Sequence, residues 1–253
     1  MKLRFLGTGT STGIPEIGCS CEVCTSSDKR DRRLRASVLI EIEGKRILID
    51  CGPDFRLQML ETLKDDYFTD LEGVILTHEH YDHVGGLDDL RAFCKKGALP
   101  IYTEDYVAEA IRTRISYVFA KNKYPGIPNL ELIPVKNDPF FISDIKITPI
   151  RLVHGKLPIL GFRINDYAYL TDLKIIPEKE YEKLKKLDVL VINALRQKEH
   201  VAHENLQQAL LNIEKIKPHR AYLTHICHHF GLHSCMELKL PENVYIAYDG
   251  LVI

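Results

Sequence analysis

The run His78-Glu79-His80-Tyr81-Asp82-His83 places three imidazoles and two carboxylates in six consecutive residues. Imidazole nitrogen and carboxylate oxygen are good ligands for zinc, manganese or iron. The run offers more ligands than one tetrahedral ion takes, so its spacing points to two ions. It directly follows Val74-Ile75-Leu76, an apolar segment that reads as a buried strand. A strand that runs into a His/Asp-rich loop sets its ligands at the carboxyl edge of a sheet. The alternative is a polar surface loop that holds three histidines by accident, and H-x-H-x-D-H at a strand end is rare by chance. Glu79 and Tyr81 alternate away from the ligands and take no metal role.

Three further segments repeat the same grammar of strand, then ligand. They are Ile150-Arg151-Leu152-Val153-His154, Tyr169-Leu170-Thr171-Asp172 and Tyr222-Leu223-Thr224-His225. Alone, each end residue reads as a loop cap; together with His78 they form a set of like-placed ligands. Asp50 closes the strand Arg46-Ile47-Leu48-Ile49. It reads either as an acceptor that orients a ligand imidazole or as a turn residue before Gly52. His203 opens a stretch with helical spacing, where a helix N-terminus disfavours the imidazolium and a phosphate would restore it. The alternatives there are an exposed helix-start histidine and a register in which His200 takes the place. His219 reads as surface.

Cys19-x-Cys21-x-x-Cys24 puts three thiols in six residues. That spacing reads as a closed structural zinc site short of one ligand, against free thiols or a redox pair. Cys227, His228, His229, His233 and Cys235 are the candidates for the fourth ligand. Gly7-Thr8-Gly9-Thr10-Ser11-Thr12-Gly13 looks like a phosphate cradle but lacks the Lys-Ser/Thr ending and the strand–helix setting. It reads as a tight turn that brings backbone near the metal site.

These ligands need strands to present them. Lys2–Gly7, Ser37–Glu43, Arg46–Asp50, Leu99–Thr103, Phe140–His154, Ile159–Arg163, Ala168–Leu170, Asp188–Ile192, Ala221–Thr224 and Val244–Ile253 read as strands. Helical spacing is expected over Phe55–Leu63, about Gly86–Cys94, Glu104–Phe119, Pro177–Leu187 and His203–Ile216, with a break at 121–128. Helices interleaved with strands in both halves predict an α/β chain of two packed sheets flanked by helices. At 253 residues the chain is within the range of a single domain, 1–253. A formal net charge of −1 supplies no global field for nucleic acid or membrane. No apolar run approaches the ~18 residues that span a bilayer. The start has no signal-peptide core, and seven cysteines favour thiols and metal ligands, so a cytoplasmic protein is expected.

The H-x-H-x-D-H run and its three partner strand ends resemble the metallo-β-lactamase superfamily. Gly7-Thr8-Gly9, the C-x-C-x-x-C run and Thr224-His225-x-x-His228 narrow the resemblance to the PhnP-like phosphodiesterases. It covers nearly the whole chain and thins between Gly97 and Val135, where the helix with Arg112 and Arg114 overhangs the pocket. The resemblance implies a four-layer αβ/βα sandwich. It implies one ion on His78, His80 and His154, another on Asp82, His83 and His225, and Asp172 bridging both. The ions would be manganese or zinc, and would lower the pKa of a shared water and clamp the attacking and leaving oxygens. A third ion, a structural zinc, would sit on Cys19, Cys21, Cys24 and His228. Asp82 and Asp172 belong to the catalytic set, with His203 facing the substrate to protonate the leaving oxygen or hold the phosphate. Small cyclic phosphodiesters are the implied substrates, and a homodimer the implied assembly, with neither membrane nor long nucleic acid as partner. The rival readings are a tRNA 3′-processing endonuclease of the same superfamily and a non-catalytic metal-binding module.

Overall fold

Ser37–Ile42 and Lys45–Ile49 pair as an antiparallel hairpin early in the chain, and consecutive residues Ser37–Ile40 and Ile47–Ile49 are buried, where alternation and one buried face were expected. In the computed structural model, which describes residues 1–122 and 124–253, two compact units are resolved. The first comprises Met1–Gly7, Ser37–Lys136 and Gly250–Ile253. It contains strands β1 (Lys2–Gly7), β2 (Ser37–Ile42), β3 (Lys45–Ile49), β4 (Gly73–Ile75), β5 (Leu99–Thr103) and β6 (Leu130–Pro134). Its helices are α1 (Phe55–Asp65), the four-residue α2 (Tyr81–Val84) and α3 (Asp105–Arg114). The sheet runs β1-β2-β3-β4-β5-β6, antiparallel to β3 and parallel from there on. Parallel strands covered on their faces read as continuous apolar runs, as Gly73-Val74-Ile75 does. Phe55, Met59 and Thr62 of α1 are buried at helical spacing, and Phe55 and Met59 join a core with Leu48, Val74 and Ile101.

The second unit comprises Thr8–Ala36 and Asn137–Asp249. Its strands are β7 (Phe140–Ile142), β8 (Ile145–His154), β9 (Leu157–Ile164), β10 (Tyr167–Leu170), β11 (Val189–Asn193), β12 (Arg220–Thr224) and β13 (Val244–Ile246). Its helices are α4 (Leu206–Ile216) and α5 (His233–Glu237). The order is β13-β12-β11-β10-β9-β8-β7, a meander from β7 to β10 and parallel from β10 to β13. Its core joins Ile150, Leu170, Leu190, Leu223 and Ala209 with Ile14 and Val23 of the N-terminal loop.

Several expected elements differ in detail. Phe140–His154 is two strands, divided by a turn at Ser143 with φ +53°. Gly86–Cys94 and Pro177–Leu187 form 3-10 turns over Leu87–Phe93 and Glu178–Leu184, and Glu104–Phe119 is α3 followed by a 3-10 turn. Helix α4 starts at Leu206, not His203. Asn205 caps it: its side chain accepts from Gln208 N at 2.9 Å while Gln208 Oε1 accepts from Asn205 N at 3.2 Å. β13 ends at Ile246, and the last residues pair with β1 through Val252 and Arg4. β6 and α5 were not expected. In the expected break at 121–128, Lys123 lies outside the described residues.

Candidate functional site

In the first unit, the ligand run leaves β4 through Leu76 and Thr77, and Asp82 and His83 lie on the buried face of α2. Two reciprocal backbone bonds bind this turn to the end of β3. Cys51 N donates to His83 O and Gly86 N to Cys51 O, both at 2.8 Å. A Cβ at Gly86 would run into the Gly52 carbonyl, so only glycine permits this approach. The tie sets Asp50 against His83: Nδ1 of His83 donates to Asp50 Oδ2 at 2.7 Å. Thr77 N donates to Asp50 Oδ1 at 2.9 Å, and the Thr77 hydroxyl lies 3.0 Å from Oδ2 and 2.9 Å from His78 Nδ1. One assignment satisfies the chain: His78 Nδ1–H donates to Thr77 Oγ1, whose proton goes on to Asp50. Both imidazoles then carry their lone pairs on Nε2, a tautomer in which that atom can ligate a metal. Asp82 Oδ2 stands 3.2 Å from His83 Nε2, and the His80 ring packs 4.5 Å from that of His78. Burial pushes the Asp50 carboxyl above its usual range, against the pull of His83 and Thr77.

The second unit holds the other predicted ligands at strand ends. His154 closes β8 and donates from Nδ1 to the Ala202 carbonyl at 3.0 Å, which again puts the lone pair on Nε2. Asp172 and His225 follow β10 and β12, with Asp172 Oδ1 3.1 Å from His225 Nε2. Asp50, Asp172 and His225 all sit in the left-handed region, at φ +61°, +57° and +55°. Such residues cost roughly 1–3 kcal/mol each and concentrate at functional sites. Neighbours hold the two of this unit there. Asn193 Oδ1 accepts from Leu173 N at 2.6 Å, and Ile226 N donates to Thr8 O at 3.0 Å. The glycine-rich loop thus lies beside His225, as a tight turn would.

His203 is not at the helix start but two residues before the cap, buried among ligands. Its ring lies 4.5 Å from His154 and 5.0 Å from His225, and its Nδ1 3.9 Å from Asp172 Oδ1. Burial drives its pKa down to about 3, opposed by Asp172 and assisted by His225 and His154. His200 stands outside it, ring to ring at 5.1 Å, and His219 is exposed.

Cys19, Cys21, Cys24 and His228 come together within the second unit. Their sulfurs lie 3.1, 3.5 and 3.4 Å from His228 Nδ1. Tetrahedral zinc, with bonds of ~2.3 Å to sulfur and ~2.0 Å to nitrogen, separates such donors by about 3.5 Å. The donor set therefore fits zinc. Glu16 supports it twice, with its N–H 3.4 Å from Cys24 Sγ and its carboxylate 3.3 Å from His228 Nε2. A hydrogen bond from the Cys24 backbone lowers the Cys21 thiol to about 7, while burial raises Cys24 to about 11. Of the other candidates, His233 is engaged elsewhere, 3.1 Å from the buried Arg33 guanidinium.

Sequence reasoning missed Thr77, Asn193 and the Ala202 carbonyl. It also missed Arg196, which follows β11, the strand between those that carry Asp172 and His225. The Arg196 guanidinium is fixed by two backbone carbonyls, of Lys198 at 3.3 Å and Glu199 at 2.7 Å. Among the described residues neither it nor Lys198 has a carboxylate partner, and with His229 they line a cavity of about 420 Å³. Its position after a central parallel strand was a usable signal. No helix of the described residues is long and apolar enough to cross a membrane.

Residues 45–226 match the beta-lactamase superfamily domain. A protein named octanoyltransferase, from Porphyromonas gingivalis (strain ATCC BAA-308 / W83), is 49% identical over 99% of this chain. The match covers 51% of that protein, so the chain spans about half the length of its curated relative. Among solved structures, a diphosphatase from the PhnP family is 36% identical, with a TM-score of 0.92 over 100% of this chain and 96% of its own. Zinc-bound PqqB from Methylobacterium extorquens shares the fold at 17% identity and a TM-score of 0.81, covering 100% and 99%.

Proposed function

Since the chain belongs to the beta-lactamase superfamily, with a PhnP-family diphosphatase as a near structural relative, we propose that it is a metal-dependent phosphodiesterase. We assign one divalent ion to His78, His80 and His154, a second to Asp82, His83 and His225, and Asp172 to both, with zinc or manganese as occupants. A separate zinc is assigned to Cys19, Cys21, Cys24 and His228. The observation that carries the reading is the common placement of Nδ1: in His78, His83 and His154 it lies 2.9, 2.7 and 3.0 Å from an oxygen, which under the tautomer assigned above turns Nε2 to the ligand role. When bound, the two ions supply Lewis acidity and a nucleophilic water at neutral pH. The chain's own part is orientation: Asp50 fixes two of the imidazoles, and the turns at Asp172 and His225 present their side chains from β10 and β12, the two parallel strands that flank β11. His203, buried and neutral when nothing is bound, is placed to donate to a phosphoryl or leaving-group oxygen.

Small diesters are the substrates this reading favours, and one observation extends it to diesters of diphosphate. The Arg196–Lys198–His229 cavity offers uncompensated positive charge on the strand edge that carries Asp172 and His225. A formal charge of −1 weighs against a long RNA, whose grip rests on many phosphate contacts. Acyl transfer, as in the name of the longer relative, needs an activated nucleophile. The thiol lowered toward neutrality, Cys21, is assigned to the zinc cluster, and burial raises those of Cys51, Cys94 and Cys227. Hydrolysis of bis-p-nitrophenyl phosphate tests the reading. It should require added zinc or manganese and vanish in Asp172→Ala; metal-independent turnover, or turnover retained in that variant, would sink it.

A further inference from the structure

The second unit seals a guanidinium in its core that the metal chemistry does not use. Arg33 is only 4% exposed. Its Nη1 donates to the Thr8 hydroxyl at 2.8 Å and to the Ala247 carbonyl, and its Nη2 stands 3.1 Å from His233 Nδ1. A guanidinium only donates, so His233 Nδ1 accepts and the imidazole proton sits on Nε2. The Thr8 hydroxyl in turn donates to Asp249 Oδ1 at 2.7 Å, and Asp249 Oδ2 accepts from Leu34 N at 2.6 Å. Burial lowers the pKa of Arg33 only to about 10, opposed by Asp249 and Asp31, so the group is charged at neutral pH. Buried ions of this kind are a poor source of stability and are best attested as devices that fix register.

Thr8 is where this network meets the ligands. Its carbonyl accepts from Ile226 N at 3.0 Å, and Thr10 N returns a bond to Ile226 O at 3.1 Å. Gly9, between them, bridges in parallel to Ile226 on one side and to Arg35 on the other. A Cβ at Gly9 would stand 2.9 Å from the Arg33 carbonyl oxygen and 3.0 Å from the Arg33 Cβ, so only glycine lets the loop lie on this segment. Ile226 directly follows His225, whose φ of +55° is a conformation that its surroundings must impose. The same segment clasps the cysteine loop. Arg33 N donates to Ile14 O at 2.8 Å and Ile14 N to Arg33 O at 2.9 Å, while Asp31 Oδ2 accepts from the Ser26 hydroxyl at 2.6 Å.

We propose that Arg33 is a positioning residue for the ligand His225. Through the Thr8 hydroxyl it locks the glycine-rich loop against Ile226, and this holds the His225 imidazole in place for its ion. The inference rests on the two-ion reading and gives the loop over Thr8–Gly13 a task within it.

Manganese titration of protein that keeps its cysteine-site zinc tests this without turnover, because carboxylate-rich sites take manganese while thiolates hold zinc. Paramagnetic resonance of the free ion follows the binding, and His225→Ala marks the step that belongs to His225. Thr8→Val removes the hydroxyl at nearly constant volume and should weaken that step about tenfold, the low end for outer partners of a ligand. The other step should stay within about threefold and the zinc count unchanged, well inside the span of such outer-partner effects. Thr8→Ser keeps the hydroxyl and should bind as the unaltered protein does, and Arg33→Met should reproduce the loss seen in Thr8→Val. If Arg33→Met does not fold, the Thr8 pair decides alone. Unaltered affinity in Thr8→Val would overturn the proposal, as would a Thr8→Ser variant as weak as Thr8→Val. A loss shared equally by both manganese steps and the zinc would overturn it too, in favour of general destabilisation. A normal two-step titration that Thr8→Val leaves untouched removes only the role of Arg33, whereas an unaltered protein that takes no manganese or zinc at the His225 step removes the two-ion reading and this inference with it.

Discussion

Replacing Asp50 by Asn removes one oxygen from the hub of the first unit's ligands. Asp50 is fully buried and accepts from His83 Nδ1 at 2.7 Å, Thr77 N at 2.9 Å and the Thr77 hydroxyl at 3.0 Å. An asparagine can keep the two bonds from Thr77 with its oxygen, which turns its amino group toward His83 Nδ1–H, donor against donor. The imidazole relieves this by moving its proton to Nε2, the atom that should hold the metal. Partners of this kind are worth about 10–100-fold in metal affinity or activity. At ~1.36 kcal/mol per tenfold that is roughly 1.4–2.7 kcal/mol. The upper end is expected, because His78 reaches the same carboxylate through Thr77. Metal-free protein should lose little stability, since burial already pushes the Asp50 carboxyl up and the substitution removes a buried acid. Chelator competition with zinc, alongside melting of the metal-free protein, reads both quantities. Affinity within threefold of the unaltered protein would refute the tautomer argument; parallel losses in affinity and metal-free stability would reduce Asp50 to a packing residue.

Two further outcomes follow from the second unit. Cys21→Ser should release one zinc per chain and lower the melting temperature, since structural zinc supplies ~10–16 kcal/mol of apparent binding energy in small domains; an unchanged zinc count contradicts the assignment. Glu204 is buried beside His203, and burial raises its pKa to about 8 from 4.5. A raised carboxyl stabilises the fold fully below pH 4.5 and loses that contribution as pH climbs to about 8, on the order of 4 kcal/mol by linkage. Glu204→Gln should therefore gain on the unaltered protein across that window in denaturant titrations, and a difference that is flat with pH would show that Glu204 titrates normally.

Strand ends were legible because apolar, β-branched runs followed by His or Asp leave a plain trace, as at Val74–His83 and Ile150–His154. The Cys19–Cys24 spacing was equally plain, although the fourth ligand needed the family resemblance to separate His228 from its neighbours. What stayed hidden has no side-chain signature. The Ala202 carbonyl that orients His154 is backbone, and the left-handed turns at Asp172 and His225 follow from neighbours distant in sequence. Helical spacing also misled where α and 3-10 turns share an i, i+3 repeat, as over Leu87–Phe93 and Glu178–Leu184. His203 was read as a helix start because the stretch is amphipathic; Asn205, two residues on, is the better cap and frees His203 to sit among the ligands.

The account stands on two cations that share the Asp172 carboxylate. Anomalous diffraction from crystals grown with manganese, joined to elemental analysis, counts and places them. Two ions about 3.5–4 Å apart with Asp172 touching both, and zinc at the cysteine cluster, is the predicted result. A single active-site ion, or a pair that leaves Asp172 unligated, would contradict it.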